Sequence, residues 1–170
     1  MIVVTGGAGF IGSNLIAALN LRGRRDVILV DDLSDTAKIQ NISDLTIADY
    51  IDKDHFQKIA NSSGLPAGVE AVFHQGACSD TMVSDGRYVM EVNFEYSKSL
   101  LRACADSEVP LIYASSASVY GANGPFFEAA ENEHPLNAYA YSKTLFDRFA
   151  FAEGSGSASQ LVGLRYFNVY

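Results

Sequence analysis

The stretch VVTGGAGFIGSNL, residues 3–15, places four glycines between a short valine run and an apolar run with helical spacing. Three of them, Gly6, Gly9 and Gly12, recur every third residue, directly after what reads as a strand and at the mouth of what reads as a helix. In that setting glycines let a pyrophosphate come close to the backbone amides of a helix N-terminus, where the helix dipole favours an anion. A glycine-rich turn alone is weak evidence, because glycine also serves wherever φ is positive. The context supplies the rest. The next apolar run ends Val30-Asp31-Asp32, and Asp31 lies 19 residues past Gly12, where an acid can accept hydrogen bonds from a ribose hydroxyl.

Working outward, short apolar runs at residues 2–5, 27–30, 69–73, 110–114 and 161–167 are rich in Val, Ile, Leu and aromatics, as strands buried on both faces of a parallel sheet should be. Residues 11–21, 54–60, 88–104 and 138–152 read as helices between them. This alternation predicts an α/β fold, a doubly wound parallel sheet with right-handed crossovers. The three-residue glycine spacing points to the short-chain dehydrogenase type of Rossmann domain. Residues 1–170 read as one NAD(P)-binding domain, and GSGSAS, 154–159, reads as a turn too short to link domains.

The 170 residues, 48% of them hydrophobic, suffice for one buried core. The net charge of −8 comes from dispersed acids, and no Lys/Arg cluster offers a footprint for nucleic acid. No run approaches a membrane span, and the first residues lack a signal-peptide layout, so a cytoplasmic location without membrane association is expected. Cys78 and Cys104 lack metal-ligand spacing and read as reduced thiols, with no metal site expected.

Open parallel sheets bind ligands beyond the carboxyl ends of their strands. Two stretches belong there: YASSASVYG, residues 113–121, and NAYAYSKTLFDRF, residues 137–149. In the second, Tyr139 and Lys143 are four apart and share a helical face, whereas Leu145 occupies the equivalent place relative to Tyr141. A tyrosine ordinarily titrates near 10, so service as a base at neutral pH requires roughly 4 kcal/mol of stabilisation of its anion. The Lys143 ammonium and an oxidised nicotinamide can supply that together. Ser116 can hydrogen-bond the reacting alcohol or carbonyl.

TGGAGFIGS, SSASVYG, YAYSK and RYFNVY together resemble the extended short-chain dehydrogenases that modify nucleotide-linked sugars. HQGACSDT at 74–81 and DGRYVMEVNFEYSKSLL at 85–101, with LTIADYIDK, resemble the ADP-glyceromanno-heptose 6-epimerase family of bacterial lipopolysaccharide inner-core synthesis. That resemblance implies cofactor contacts from Phe10 and Ile11 in the phosphate turn, Asp31 and Asp32 near the adenosine ribose, and Lys38 and Lys53. It further implies that Gln75, Gly76, Ala77, Cys78 and Ser79 line the groove and that Asn93 reaches its cofactor side. Ser116, Tyr139 and Lys143 take the catalytic places, with Ser116 and Asn168 also touching substrate. Lys38 and Lys53 also read as plain surface charges, and Asn93 as a buried amide satisfied by backbone.

Cofactor choice is contested within the sequence. Asp31 disfavours the 2′-phosphate of NADP by like-charge repulsion, and Asp32 adds a second charge where a neutral amide is expected in many relatives. The resemblance implies NADP, with Lys38 and Lys53 compensating, and NAD stays open. The implied reaction inverts C6 of an ADP-linked heptose through a transient ketone, with a second acid/base residue and most of the sugar pocket supplied from beyond Tyr170. A homo-oligomer, a pentamer in the family, is likewise implied, and the 170 residues alone are expected to epimerise poorly. Two alternatives remain. One is another nucleotide-sugar enzyme, such as a UDP-hexose 4-epimerase using NAD; a 4,6-dehydratase is disfavoured because ASSASVYG lacks a Thr-Asp-Glu arrangement. The other is a non-catalytic dinucleotide-binding module.

Overall fold

The computed structural model describes residues 1–122, 124–154 and 159–170. Six parallel strands form one sheet in the order β3-β2-β1-β4-β5-β6. They are β1 (Ile2–Thr5), β2 (Val27–Asp31), β3 (Asp49–Asp52), β4 (Ala71–His74), β5 (Leu111–Ser116) and β6 (Leu161–Tyr166). The chain winds outward from β1 in one direction and then returns to β4 on its other side, so the strand order reverses between β1 and β4. That switch point opens a crevice at the strands' carboxyl ends.

The helices are α1 (Phe10–Leu21), α2 (Lys53–Ser63), α3 (Gly86–Met90), α4 (Tyr96–Asp106) and α5 (Ala138–Gly154). Each face of the sheet carries its own apolar cluster. Val4 and Leu29 cluster with Ile16 of α1, while Val3, Val30, Val72 and Leu111 cluster with Phe56 of α2, Leu100 of α4 and Phe146 of α5. Alternate residues of one strand serve opposite clusters, which is why β1 and β2 are apolar throughout.

Two features depart from the sequence reading. β3 was not among the expected strands, because its DYID is an edge strand with three of four residues exposed and offers no apolar run. The helix expected over 88–104 is present from Gly86 to Asp106, but a wide turn over Glu91–Glu95 interrupts it between α3 and α4. The GSGSAS reading lies outside the described residues except at its two ends. Among the described residues no helix is long and apolar enough to cross a membrane, and no group of three His, Cys, Asp or Glu could hold a metal.

Candidate active site

The glycines of the first turn do different jobs. Gly6 has φ +65°, and a Cβ there would lie 2.6 Å from the Gly76 amide nitrogen. A side chain at Gly12 would be driven into the Gly6 carbonyl, and one at Gly7 would meet Leu29 Cγ at 2.7 Å. Those three absences let the turn lie flat against β2 and the segment after β4. Gly9 is different: its only near neighbour would be Gly6 O at 3.2 Å, so what a side chain there would fill is the cleft it lines. Gly9 caps α1 with no side-chain bond, and α1 has no acid in its first turn. Free amides and the positive end of a twelve-residue helix therefore face the cleft, as a pyrophosphate requires.

The cleft holds about 560 Å³ and is lined from Thr5 through the glycine turn to Tyr139, Lys143 and Tyr166. At its far corner Asp31, only 6% exposed, spends its carboxylate on the protein. Oδ2 accepts from the Ala8 amide at 2.8 Å, and Oδ1 accepts from the Asp32 amide and from Lys38 Nζ, both at 2.7 Å. The Asp31 carboxylate thus pins the phosphate turn to β2 and binds the side chain of Lys38. Asp32 is more open; the Ser34 hydroxyl and then the Ser34 amide, 2.9 Å from Oδ1, ahead of the charges of Lys53 and Lys38, hold its carboxyl below the usual range. Lys53, at the start of α2, bonds Asp54 at 2.9 Å and lies 3.7 Å from Asp32. The corner thus holds two lysines already facing three carboxylates.

Gln75, Gly76, Ala77, Cys78 and Ser79 form the wall beyond β4. Asn93 is fully buried in the wide turn and holds that wall from behind: its Oδ1 accepts from the Cys78 amide at 2.7 Å, and its Nδ2 donates to Cys78 O at 3.0 Å and Ser142 Oγ at 3.1 Å. It braces the cleft wall through the backbone of Cys78 and the hydroxyl of Ser142. Beneath it, His74 is bonded at Nδ1 to Thr5 Oγ1 (2.6 Å) and at Nε2 to Ser97 Oγ (2.8 Å). Because Ser97 spends its proton on Asn93 O at 2.6 Å, His74 must carry its proton on Nε2 and accept from Thr5. Burial, reinforced by the charge of Lys143, pushes His74 down to about 3, so the ring is neutral.

At the other end of the cleft, Lys143 reaches from α5 to donate to Ala114 O at 2.8 Å, with Nζ 6.0 Å from the Tyr139 ring centre. Burial lowers its ammonium to about 8, against a raising effect from Asp147. Ser116 Oγ accepts from the Ser118 amide (3.2 Å) and the Ser118 hydroxyl (2.9 Å), which leaves its own proton free to donate. Ser116, Tyr139 and Lys143 all line the same end of the cleft. Asn168 is exposed, set between the cleft-lining Phe167 and Val169.

The cleft also contains residues that spacing did not single out. Tyr88, Val92 and Tyr96 project from α3, the wide turn and α4 along one wall. Gln75 Oε1 and Tyr96 OH are buried and have no partner among the described residues, so the cleft presents polar atoms that a ligand can satisfy. The four-residue recurrence of 88, 92 and 96 was the available signal. The buried Thr5, His74 and Ser97 left none, since each reads as an ordinary strand or helix residue.

A glycine turn on a helix N-terminus at a sheet's switch point, facing a Ser, Tyr and Lys, defines a dinucleotide-binding domain of the short-chain dehydrogenase type. The family model described as the NAD dependent epimerase/dehydratase family matches residues 2–170, and the chain belongs to that family. It is 55% identical over all 170 residues to an ADP-L-glycero-D-manno-heptose-6-epimerase of Alkalilimnicola ehrlichii, covering 53% of that protein. Its structure resembles the Helicobacter pylori ADP-L-glycero-D-manno-heptose-6-epimerase at 31% identity and TM-score 0.85, covering 99% of this chain and 55% of that one. It also resembles a Bacillus cereus UDP-glucuronic acid 4-epimerase in complex with NAD, at 27% identity and TM-score 0.80, covering 99% of this chain and 57% of that one. The chain therefore spans about half the length of the relatives it matches.

Proposed function

We propose that this chain is the cofactor-binding domain of an ADP-glyceromanno-heptose 6-epimerase, and that its cleft holds NADP. The observation that carries the reading is the convergence of Ser116, Tyr139 and Lys143 at one end of a cleft whose other end is an uncapped helix N-terminus. The 55% identity to a protein of that name favours this sugar over the hexoses of the more distant 4-epimerases.

A bound nicotinamide supplies acceptance and return of a hydride at C6 of the sugar. The chain's residues supply the rest. The α1 amides and the glycine turn bind the pyrophosphate. Ser116 donates its free proton to the substrate oxygen and holds it beside Tyr139. Tyr139 takes the hydroxyl proton as the alcohol becomes a ketone and gives one back on reduction. Lys143, buried and tied to Ala114 O, puts a positive charge beside Tyr139 in a region of low dielectric and so favours the phenolate. Lys38, still held by Asp31, and Lys53 give the 2′-phosphate its positive surroundings. A second acid/base residue for the opposite face of the ketone, and most of the sugar pocket, belong to the remainder of a longer protein, which works in the cytoplasm as a homo-oligomer.

The test is to purify the full protein, identify the nucleotide it retains by mass spectrometry after denaturation, and assay interconversion of the two C6 epimers of the ADP-heptose. Retained NADP and turnover abolished by Tyr139→Phe are expected. Epimerisation of a UDP-hexose instead, with retained NAD, would overturn the substrate and the cofactor together.

A further inference from the structure

The ionic cluster behind the catalytic helix has no part in the reaction as written above. Asp147 lies one turn beyond Lys143 on α5, on the same face. Its Oδ1 accepts from the Tyr113 hydroxyl at 3.1 Å, and its Oδ2 accepts from Ser115 Oγ at 2.8 Å and Arg165 Nε at 3.0 Å. Arg165, on β6, also bonds Glu133 and lies over the Tyr120 ring at 4.9 Å, while Glu133 accepts from Arg148 Nε at 3.0 Å. The carboxylate of Asp147 is thus fixed by two strands at once.

Three consecutive residues of β5 show why that matters. The carbonyl of Ala114 accepts from Lys143, the hydroxyl of Ser115 donates to Asp147, and Ser116 faces the cleft. The two bonds, one helical turn apart on α5 and one residue apart on β5, fix how α5 lies on the strand that carries Ser116. They also set a carboxylate near an ammonium that otherwise has only a carbonyl for a partner. We infer that Asp147 is a positioning residue of this site: it locks α5 onto β5 and supplies the negative field that keeps Lys143 charged beneath Tyr139, with Arg165 moderating that field. The inference rests on the reading of Lys143 given above.

The other groups facing Lys143 are Tyr139 on α5 and His74 on β4, the latter neutral, so Asp147 is the anion that sets its charge. Facing Asp147 are Tyr113 from β5 and Arg165 from β6, with Glu133 and Tyr120 behind Arg165. The geometry therefore predicts opposite effects of two changes. Asp147→Asn keeps the shape and removes the anion; Arg165→Gln keeps the anion and removes the cation that offsets it.

The experiment is an NMR titration of Lys143 in the full chain carrying ¹³C-labelled lysine, with Lys143→Arg identifying the signal. Asp147→Asn is expected to lower the Lys143 midpoint by about one pH unit, Asp147→Glu to restore it, and Arg165→Gln to raise it. Turnover of Asp147→Asn should then fall most at pH 8 and recover towards pH 6, with KM little changed, whereas a purely structural loss would lower turnover equally at every pH. An unmoved midpoint in Asp147→Asn, or midpoints moving the same way in Asp147→Asn and Arg165→Gln, overturns the inference. If Asp147→Asn does not fold, the direction of the Arg165→Gln shift decides alone. The midpoints are read without substrate, so they test Asp147 independently; turnover undiminished in Lys143→Met would instead sink the reading of Lys143.

Discussion

Replacing Lys143 by Met is expected to make the cofactor-free protein more stable at neutral pH while abolishing turnover. Burial lowers the Lys143 ammonium from its ordinary 10.5 to about 8, so the unfolded chain binds one more proton than the folded chain between those values. Folding stability of the wild type therefore rises with pH across that window and carries the full penalty below pH 8. Two and a half pH units correspond to roughly 3 kcal/mol, a factor of about 300 in the folding equilibrium. Met fills nearly the same volume without a charge but gives up the bond to Ala114 O, which costs about 1 kcal/mol. The variant should thus gain about 2 kcal/mol at pH 7, keep about half of that at pH 9, lose the advantage near pH 10, and be slightly the less stable protein at pH 10.5. Urea unfolding of both proteins, followed by circular dichroism at pH 7, 9 and 10.5, measures the difference directly, and the titrations of other groups cancel in it. A stability difference that stays constant from pH 7 to 10.5 would refute the buried, depressed lysine and the field argument built on it.

Other changes probe the rest of the cleft. Asp32→Asn removes a carboxylate 3.7 Å from Lys53 and should tighten NADP by about fivefold, the effect of about 1 kcal/mol between solvated charges, with NAD changed less than twofold; parallel titrations read both. His74, buried and lowered to about 3, binds a proton in the unfolded chain but not the folded one between that value and its ordinary 6.5, so stability is lost as pH falls through this window. Wild type should lose about 2 kcal/mol more than His74→Asn on going from pH 6.5 to 5, and unfolding curves of the two that run parallel would contradict it. Gly12→Ala should fail to bind cofactor because its methyl meets the Gly6 carbonyl, with a lowered Tm. Gly9→Ala should keep its Tm within a few degrees yet weaken NADP more than tenfold, since the methyl enters the cleft; equal Tm losses in both would show that the two glycines do the same job.

The parts of this molecule legible in the sequence are those where one residue type serves one local need. Gly6, Gly9 and Gly12 are spaced by the turn itself, and Tyr139 and Lys143 by one helical turn, so period alone exposes them. The buried strands β1, β2, β4, β5 and β6 are apolar because both faces are covered. β3 escaped because an edge strand needs no apolar run: only Ile51 of its four residues packs inward. Thr5, His74 and Asp147 were illegible, since the bonds from Thr5 to His74, His74 to Ser97 and Ser115 to Asp147 span 69, 23 and 32 residues and only the sheet's register brings these residues together. Lys38 and Lys53 could be placed near the ribose by resemblance, but that Asp31 already engages Lys38 required coordinates.

That engagement bears on how the cofactor is chosen. An acid at the end of β2 is ordinarily read as a ribose acceptor, and on that ground as a bar to a 2′-phosphate. Here Asp31 accepts from Ala8, Asp32 and Lys38, and it is 6% exposed, so its charge is largely answered before any ligand arrives. The residue whose charge is left facing the ligand corner is Asp32, whose nearest cation is 3.7 Å away and shared with Asp54. Discrimination between the two dinucleotides therefore turns on position 32 more than on position 31. Neutralising Asp31 would free Lys38 but unpin the phosphate turn from β2, weakening both dinucleotides alike, whereas Asp32→Asn keeps an oxygen for the Ser34 amide, releases Lys53 and removes the repulsion that a 2′-phosphate feels.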